Sequence, residues 1–505
     1  MIDINSPNFL LGVVGAGWMG RGIAQLAAQA GLSVRLYDSR PEGALAACQA
    51  LVDTFNGLVR KGRMETAARD TALGRLSVAG ELAELAPCHV IIEAIIEDLD
   101  AKRALFQQLE AIVAANCVLA TNTSSLSVTA IAAGCSHPER VAGMHFFSPV
   151  PLMKVVEIID SALGDPATAD GLVALTQRLG HRPVRARDTP GFIVNHAGRA
   201  YGTEALRVLG EGVAEPADID AILRHAGFRM GPFELFDLIG LDVSLPVMES
   251  IYQQYYQEPR YRPSPLLRQR CAAGLLGRKN GRGFYPYVDG QPCPHPTPAT
   301  PAATGTPIWV SPSHPSRREH WLQRLRNHGS ALDLGERPGR DSACVVLPVG
   351  LDATHAALAE QLDPRRTVAV NPLATSQCVE MMTTPITEPH WRDTVWAALG
   401  AGSQPVRVLH DSPGFVSQRV LAMIVNIGCD IAQQRIASPD DIDAAVQLGL
   451  GYPQGPLALG DSLGASTVLT ILDGLHALYR DPRYRPSPWL LRRARLGVSL
   501  TTPEA

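Results

Sequence analysis

Gly15-Ala16-Gly17-Trp18-Met19-Gly20 constrains this chain more than any other stretch. It stands between an apolar strand-like run, Leu10 to Val14, and an Ala-rich helical run, Gly22 to Ala30. Gly15 permits the tight turn, Gly17 lets a pyrophosphate approach the backbone, and Gly20 lets helix and strand pack closely. The helix N-terminus then offers free N–H groups and a partial positive charge to phosphate. A second strand, Ser33 to Tyr37, runs into Asp38, which at this spacing accepts the hydroxyls of an adenosine ribose and repels a 2′-phosphate. A Rossmann-type α/β domain that takes NAD rather than NADP is expected, with Arg40 as the one nearby residue that counts against it.

Residues 118–157 carry the chemistry. Val118-Leu119-Ala120 leads into the short polar run Thr121-Asn122-Thr123-Ser124-Ser125. Val141 to Phe147 carries His145, and Val155 to Ile159 carries Glu157. Apolar runs that end in hydroxyls, amides or an imidazole suit the carboxyl edge of a parallel sheet, where open α/β folds place their ligands. An imidazole with an unperturbed pKa near 6.5 suits abstraction of a hydroxyl proton, and a carboxylate on the adjacent strand would orient it. On spacing alone, a satisfied structural histidine is the favoured reading of His145.

Five motifs in order settle on a family. GAGxMGxGIAQ at 15–25, IIEAIIED at 91–98, TNTSSL at 121–126, GMHFFSPVPLMKVVE at 143–157 and DTPGFIVN at 188–195 together resemble the L-3-hydroxyacyl-CoA dehydrogenases, over about residues 9–286. The resemblance implies NAD as cofactor and an acyl-CoA substrate. It implies His145 as general base, Glu157 as its partner, Ser124 as the hydroxyl on the substrate's 3-oxygen, and Asn195 as the amide that holds the substrate. Gly15, Gly17, Met19, Gly20, Asp38, Glu97, Lys102, Asn122 and Ser148 fall at its cofactor positions, and Lys61 at a lysine that reaches the CoA phosphates. Two departures stand out: Ser148 replaces the family's usual Asn after HFF, and His196 replaces an Arg after Asn195.

From Pro190 the pattern turns helical, and it occurs twice. Asp188-Thr189-Pro190-Gly191-Phe192 recurs as Asp411-Ser412-Pro413-Gly414-Phe415, an offset of 223 (411 − 188). Asp218-Ile219-Asp220 and Pro259-Arg260-Tyr261-Arg262-Pro263-Ser264-Pro265 recur at the same offset. By that offset Val368 stands at the position of His145, Gln418 at Asn195 and Glu380 at Glu157. The expected domains are a Rossmann-type domain at 1–188, a helical domain at 189–286, a Pro-rich linker at 287–316, a truncated, degenerate α/β remnant at 317–405 and a second helical domain at 406–505. In the resembled family two helical domains pack across a dimer, so the tandem copy is expected to form an intrachain pseudo-dimer; a homodimer through another face stays open.

Composition narrows the partners. A net charge of −4 over 505 residues implies no nucleic acid, and nine cysteines without CxxC or Cys/His spacing imply a reducing compartment and no metal. There is no signal-like start and no run of eighteen apolar residues, so a cytoplasmic protein without a membrane span is expected. The expected reaction is oxidation of an (S)-3-hydroxyacyl-CoA to the 3-oxoacyl-CoA, as in β-oxidation of fatty acids. The single long chain with a tandem helical module resembles the bacterial dehydrogenases of phenylacetate breakdown, which act on 3-hydroxyadipyl-CoA; Arg182, Arg199 and Arg229 are the cations available for its second carboxylate. The alternatives are a short-chain 3-hydroxybutyryl-CoA enzyme, a dehydrogenase of a non-CoA hydroxy acid, and a silent NAD-binding protein.

Overall fold

In the computed structural model, which describes residues 4, 6, 8–40, 42–296, 298–373, 377–402 and 404–504, the apolar runs of the first half build one sheet. Its strands are β1 (Leu10–Val14), β2 (Ser33–Tyr37), β3 (Leu76–Val78), β4 (Val90–Glu93), β5 (Val118–Thr121), β6 (Val141–Phe146), β7 (Val155–Asp160) and β8 (Arg182–Arg187). Their spatial order is β3-β2-β1-β4-β5-β6-β7-β8. β4, β5 and β6 are buried at every residue, as strands of a sheet covered on both faces must be. The helix Trp18–Gln29 buries Ile23, Ala24 and Ala27, the period of a helix laid on a sheet.

Every neighbouring pair is parallel except β6 and β7. That reversal corrects the expectation of three strands all ending at one edge. β7 runs back, so its beginning shares the edge at which β5 and β6 end. Glu157 therefore lies within β7, directly opposite His145 in the ladder.

The chain divides into two compact units. One runs to His196 and takes in Ile431–Gly451; the other holds Ala197–Asp430 and Tyr452–Glu504. The helix Pro439–Leu450, expected within the second helical domain, thus clusters with the first sheet. Arg187 N donates to Ile436 O at 2.8 Å, and Asp441 accepts from Arg185 N at 3.3 Å and pairs with Arg182 at 3.4 Å.

The second unit contains the rest of both helical copies and a second sheet. A small hairpin, β9 (Tyr287–Val288) and β10 (Gln291–Pro292), precedes it. The sheet comprises β11 (Ile308–Val310), β12 (Leu332–Asp333), β13 (Ala343–Val346), β14 (Thr367–Val370), β15 (Val379–Thr383) and β16 (Val406–Leu409), in the order β12-β11-β13-β14-β15-β16. With six strands, it is fuller than the truncated remnant expected at 317–405. β11 lies inside the stretch 287–316 expected as linker: Ile308, Trp309 and Val310 are all buried, an apolar triplet hidden by the prolines around it.

β14 and β15 are antiparallel, as β6 and β7 are, and their register corrects the assignment of Val368. Val370 pairs with Met381, and the next residue, Asn371, donates its N–H to Glu380 O at 3.0 Å. Asn371, not Val368, therefore faces Glu380. The turn Pro364–Arg366 precedes β14 as Pro138–Arg140 precedes β6, an offset of 226 (364 − 138). Three residues are missing between Asn371 and Glu380 relative to His145 and Glu157, and the offset returns to 223 beyond them.

Within the second unit the copies meet at a buried charge cluster. Glu204 accepts from Arg419 at 2.9 Å, Arg483 at 3.0 Å and the Tyr484 hydroxyl at 2.8 Å. His410 N donates to Val213 O at 3.0 Å, which repeats the Arg187–Ile436 bond of the first unit with the copies exchanged (410 − 187 and 436 − 213 both give 223).

Candidate active site

The glycine turn is shaped for a dinucleotide. Gly15 has φ +98°, and a Cβ there would lie 2.5 Å from Ala94 O. A Cβ on Gly20 would collide with Gly15 O, whereas one on Gly17 would meet nothing. The backbone is thus tight where helix and strand meet and open where a pyrophosphate would approach. The helix from Trp18 has no side-chain cap, so its first-turn N–H groups remain available. Met19 leans on the hydrophobic core of the sheet.

Asp38 accepts from Ala16 N at 2.7 Å and pairs with Arg40 at 3.0 Å. The Arg40 guanidinium, helped by the Ala16 and Arg40 N–H groups, holds the Asp38 carboxyl down at about 2 against the effect of burial. Arg40 is mostly exposed and bound to Asp38. This leaves a fixed carboxylate after β2 with its charge offset.

Glu97 organises the polar run after β5. Its Oε1 accepts from Thr123 Oγ1 at 2.7 Å, Ser124 N at 2.8 Å, and Ser125 N and Oγ at 3.0 Å. Burial pushes its carboxyl up, but Lys102 and these donors outweigh that and hold it below the ordinary value. Lys102 is fully buried, bonding Glu93 at 2.6 Å and Glu97 at 3.3 Å. It is therefore a buried bridge between two carboxylates. Glu93, which also accepts from Thr121 Oγ1 at 2.7 Å, went unread in the sequence; a carboxylate closing an otherwise apolar strand, with a lysine nine positions on, was the available signal.

His145 and Glu157 meet across β6 and β7, with Nδ1 to Oε2 at 2.7 Å. Glu157 is fully buried, and its Oε1 accepts from Ile193 N and Val194 N, both at 2.9 Å. Those donors leave a sharp turn in which Gly191 (φ +76°) and Phe192 (φ +47°) are both left-handed. For a buried phenylalanine that is a strained conformation, of order 1–3 kcal/mol. The Phe192 ring meets the His145 imidazole edge-on, with centroids 5.9 Å apart.

Asn195, next in the same segment, donates to Ser124 O at 3.4 Å, which brings the two expected substrate residues together. Asn122 is drawn in differently: its Oδ1 accepts from Phe146 N at 2.8 Å, bracing the strand beside His145 and leaving its NH₂ to donate. Ser148 accepts from Trp18 Nε1 at 2.7 Å and retains its own hydroxyl proton. Lys61 is exposed in the turn after the helix Gly43–Arg60. His196 is fully buried. No cluster of metal-ligating side chains occurs among the described residues.

At the positions of His145, Glu157 and Asn195 the second copy has a closed network. Asn371 Nδ2 donates to Glu380 Oε1 at 2.7 Å and to Ser417 Oγ at 2.9 Å, while Gln418 Nε2 donates to Asn371 Oδ1 at 2.8 Å. Gln418 Oε1 accepts from Gly350 N at 2.9 Å. Burial pushes the Glu380 carboxyl up.

The chain matches the 3-hydroxyacyl-CoA dehydrogenase NAD-binding domain over residues 10–189, and the C-terminal domain of that family over 191–287 and 414–500. It is 36% identical over 487 residues to the 3-hydroxyadipyl-CoA dehydrogenase of Escherichia coli (strain K12), covering 96% of this chain and 97% of that one. It is 42% identical over 277 residues to a probable 3-hydroxybutyryl-CoA dehydrogenase of Deinococcus radiodurans, 55% of this chain and 99% of that one. A crystal structure of 3-hydroxybutyryl-CoA dehydrogenase from Escherichia coli K12 superposes with a TM-score of 0.86 at 34% identity, covering 97% of this chain and 98% of that one. The turn, the dyad and these matches converge: the chain belongs to the 3-hydroxyacyl-CoA dehydrogenase family of NAD-dependent oxidoreductases.

Proposed function

We propose that the chain oxidises the 3-hydroxyl of an (S)-3-hydroxyacyl-CoA with His145 as the base, a reading carried by the His145–Glu157 pair at 2.7 Å. A carboxylate only accepts, so Nδ1 carries the proton and Nε2 is left to take one from the substrate hydroxyl. Glu157, anchored by two backbone donors, stabilises the imidazolium that results. Ser124 and Asn195 hold the oxygen and thioester in an attack-ready pose. NAD, when bound, accepts the hydride; Gly15, Gly17, Met19 and Gly20 would cradle its pyrophosphate, Asp38 its ribose, and Glu97, Lys102, Asn122 and Ser148 would line or brace its nicotinamide half. The test is His145→Ala: near-normal turnover with intact NAD binding removes the base assignment.

For the CoA tail, a groove of about 790 Å³ presents Arg21, Arg63, Lys154 and Arg178 beside Trp18, with no carboxylate in its lining. That suits a phosphorylated tail, and Lys61 is two residues from Arg63. The acyl group is read as 3-hydroxyadipyl, from the relative that spans nearly the whole chain. 3-Hydroxybutyryl is the second reading, favoured by the superposed crystal structure. Arg182 pairs with Asp441; Arg199 and Arg229 are the other two cations read for a second carboxylate. Comparing kcat/KM on the two CoA esters decides. The helical copies are read as an intrachain pseudo-dimer, supported by contacts that repeat with the copies exchanged. Sedimentation of the purified chain as a dimer would show a further face in use.

A further inference from the structure

Gly449 belongs to the second helical copy, yet it packs against the segment that holds Glu157. A Cβ built on it would lie 2.9 Å from Val194 Cγ2, 3.2 Å from Val194 Cγ1 and 3.4 Å from Val155 Cγ1. Val194 is the residue whose N–H bonds Glu157 Oε1, and Val155 precedes Glu157 by two on β7, so both side chains share one face of the sheet. The start of the helix Pro439–Leu450 is tied to β8, where Asp441 pairs with Arg182 and accepts from Arg185 N, and Ile436 just before it accepts from Arg187 N. The left-handed Phe192 gives this packing a purpose: a strained turn persists only where its surroundings over-determine it.

We propose that the helix Pro439–Leu450, through Gly449, is a positioning element for the His145–Glu157 dyad, pressing Val194 onto β7 so that its N–H and that of Ile193 stay aimed at the carboxylate. The second copy then completes the first copy's site without contributing a group to the chemistry. This rests on the dyad being the reacting pair.

Gly449 has an ordinary helical backbone, so adding a side chain costs nothing in backbone conformation and the contact alone is tested. In the full chain, Gly449→Val should lower kcat by about tenfold to a hundredfold, the scale of a displacement near 1 Å at a reacting pair. KM for NAD should stay within about twofold, because the glycine turn is untouched. Adding Val194→Ala to Gly449→Val removes the obstructing methyls and should recover most of kcat. If Gly449→Val fails to accumulate folded, Gly449→Ala should give a kcat loss of about threefold that Val194→Ala again relieves. A folded Gly449→Val with wild-type kcat, or a loss that Val194→Ala leaves unchanged, overturns the proposal. His145→Ala separates the two readings: full turnover there removes the dyad itself, while loss there with an unaffected Gly449→Val removes only the positioning role.

Discussion

The two sheets carry the same cross-strand device with different contents. In the first, an imidazole on β6 faces a buried carboxylate on β7; in the second, the amide of Asn371 faces Glu380 from the same place. Each carboxylate is also held by backbone N–H groups of the following helical segment, Ile193 and Val194 in one copy and Ser417 in the other. What differs is the group that could move a proton. A carboxamide has no basic lone pair, and Asn371, Gln418 and Ser417 satisfy one another. The second sheet also leaves β11 through Ser311-Pro312-Ser313-His314-Pro315, which offers no glycine turn. The first copy keeps a strained turn at Phe192, whereas Phe415 has no positive φ. A scaffold that retains the carboxylate and relaxes the turn when the imidazole is gone argues that imidazole and strain belong together.

The largest test of this contrast makes the first copy like the second. His145→Asn should lower kcat by about 10²–10⁴-fold with NAD binding unchanged, measured by NADH absorbance and by cofactor titration. Adding Asn371→His to that variant should restore nothing, since the second sheet lacks a dinucleotide turn. Recovered turnover in the double variant would show that the second site is one residue from function and break the comparison.

A second test asks whether the copies depend on each other. Glu204 is fully buried between Arg419 and Arg483, and the residue at its place in the second copy is Ile427 (204 + 223). Glu204→Ala takes its carboxylate from two buried guanidinium groups, of which Arg419 keeps Glu211 at 2.7 Å, and should cost about 3 kcal/mol. Replacing all three by apolar residues of similar size should recover much of it. Urea unfolding of the single and triple variants measures both. A single variant as stable as wild type would mean that the helical copies are held together elsewhere.

The glycine turn, Asp38, His145 and Glu157 were legible because each sits where local sequence dictates a strand end or turn. The match of His145 to Glu157 was legible only as adjacency; the antiparallel run of β7 that makes them direct partners is a pairing fact. The assignment of Val368 failed for the same reason. A constant offset assumes equal loops, and the shortened connection before Glu380 moves the facing residue to Asn371 without disturbing any motif. Lys102 was legible as a helix position, while its burial follows from Glu93, nine residues earlier at the end of β4, whose carboxylate it bonds. Gly449 carries no local signal at all: its partner Val194 is more than two hundred residues distant, and only the folded chain brings them together.

The finest test reads the two copies through pH. Burial pushes the Glu380 carboxyl above its ordinary value of 4.5. A carboxyl raised on folding adds its stability below the unfolded pKa, and that stability is lost as pH climbs through the folded value, because the unfolded chain releases a proton that the folded one holds. Glu380→Gln has no such titration. The melting temperature of the variant minus that of wild type should therefore rise from pH 4 to pH 8. The offset at pH 4 reflects only the exchanged amide hydrogen bonds among Asn371 and Ser417, so the slope carries the prediction. Other buried acids raised in both proteins, such as Asp220 at about 7, cancel in the difference. A flat or falling difference would mean that Glu380 is held ionised by its donors, and that the second copy has kept the electrostatics of a working site along with its scaffold.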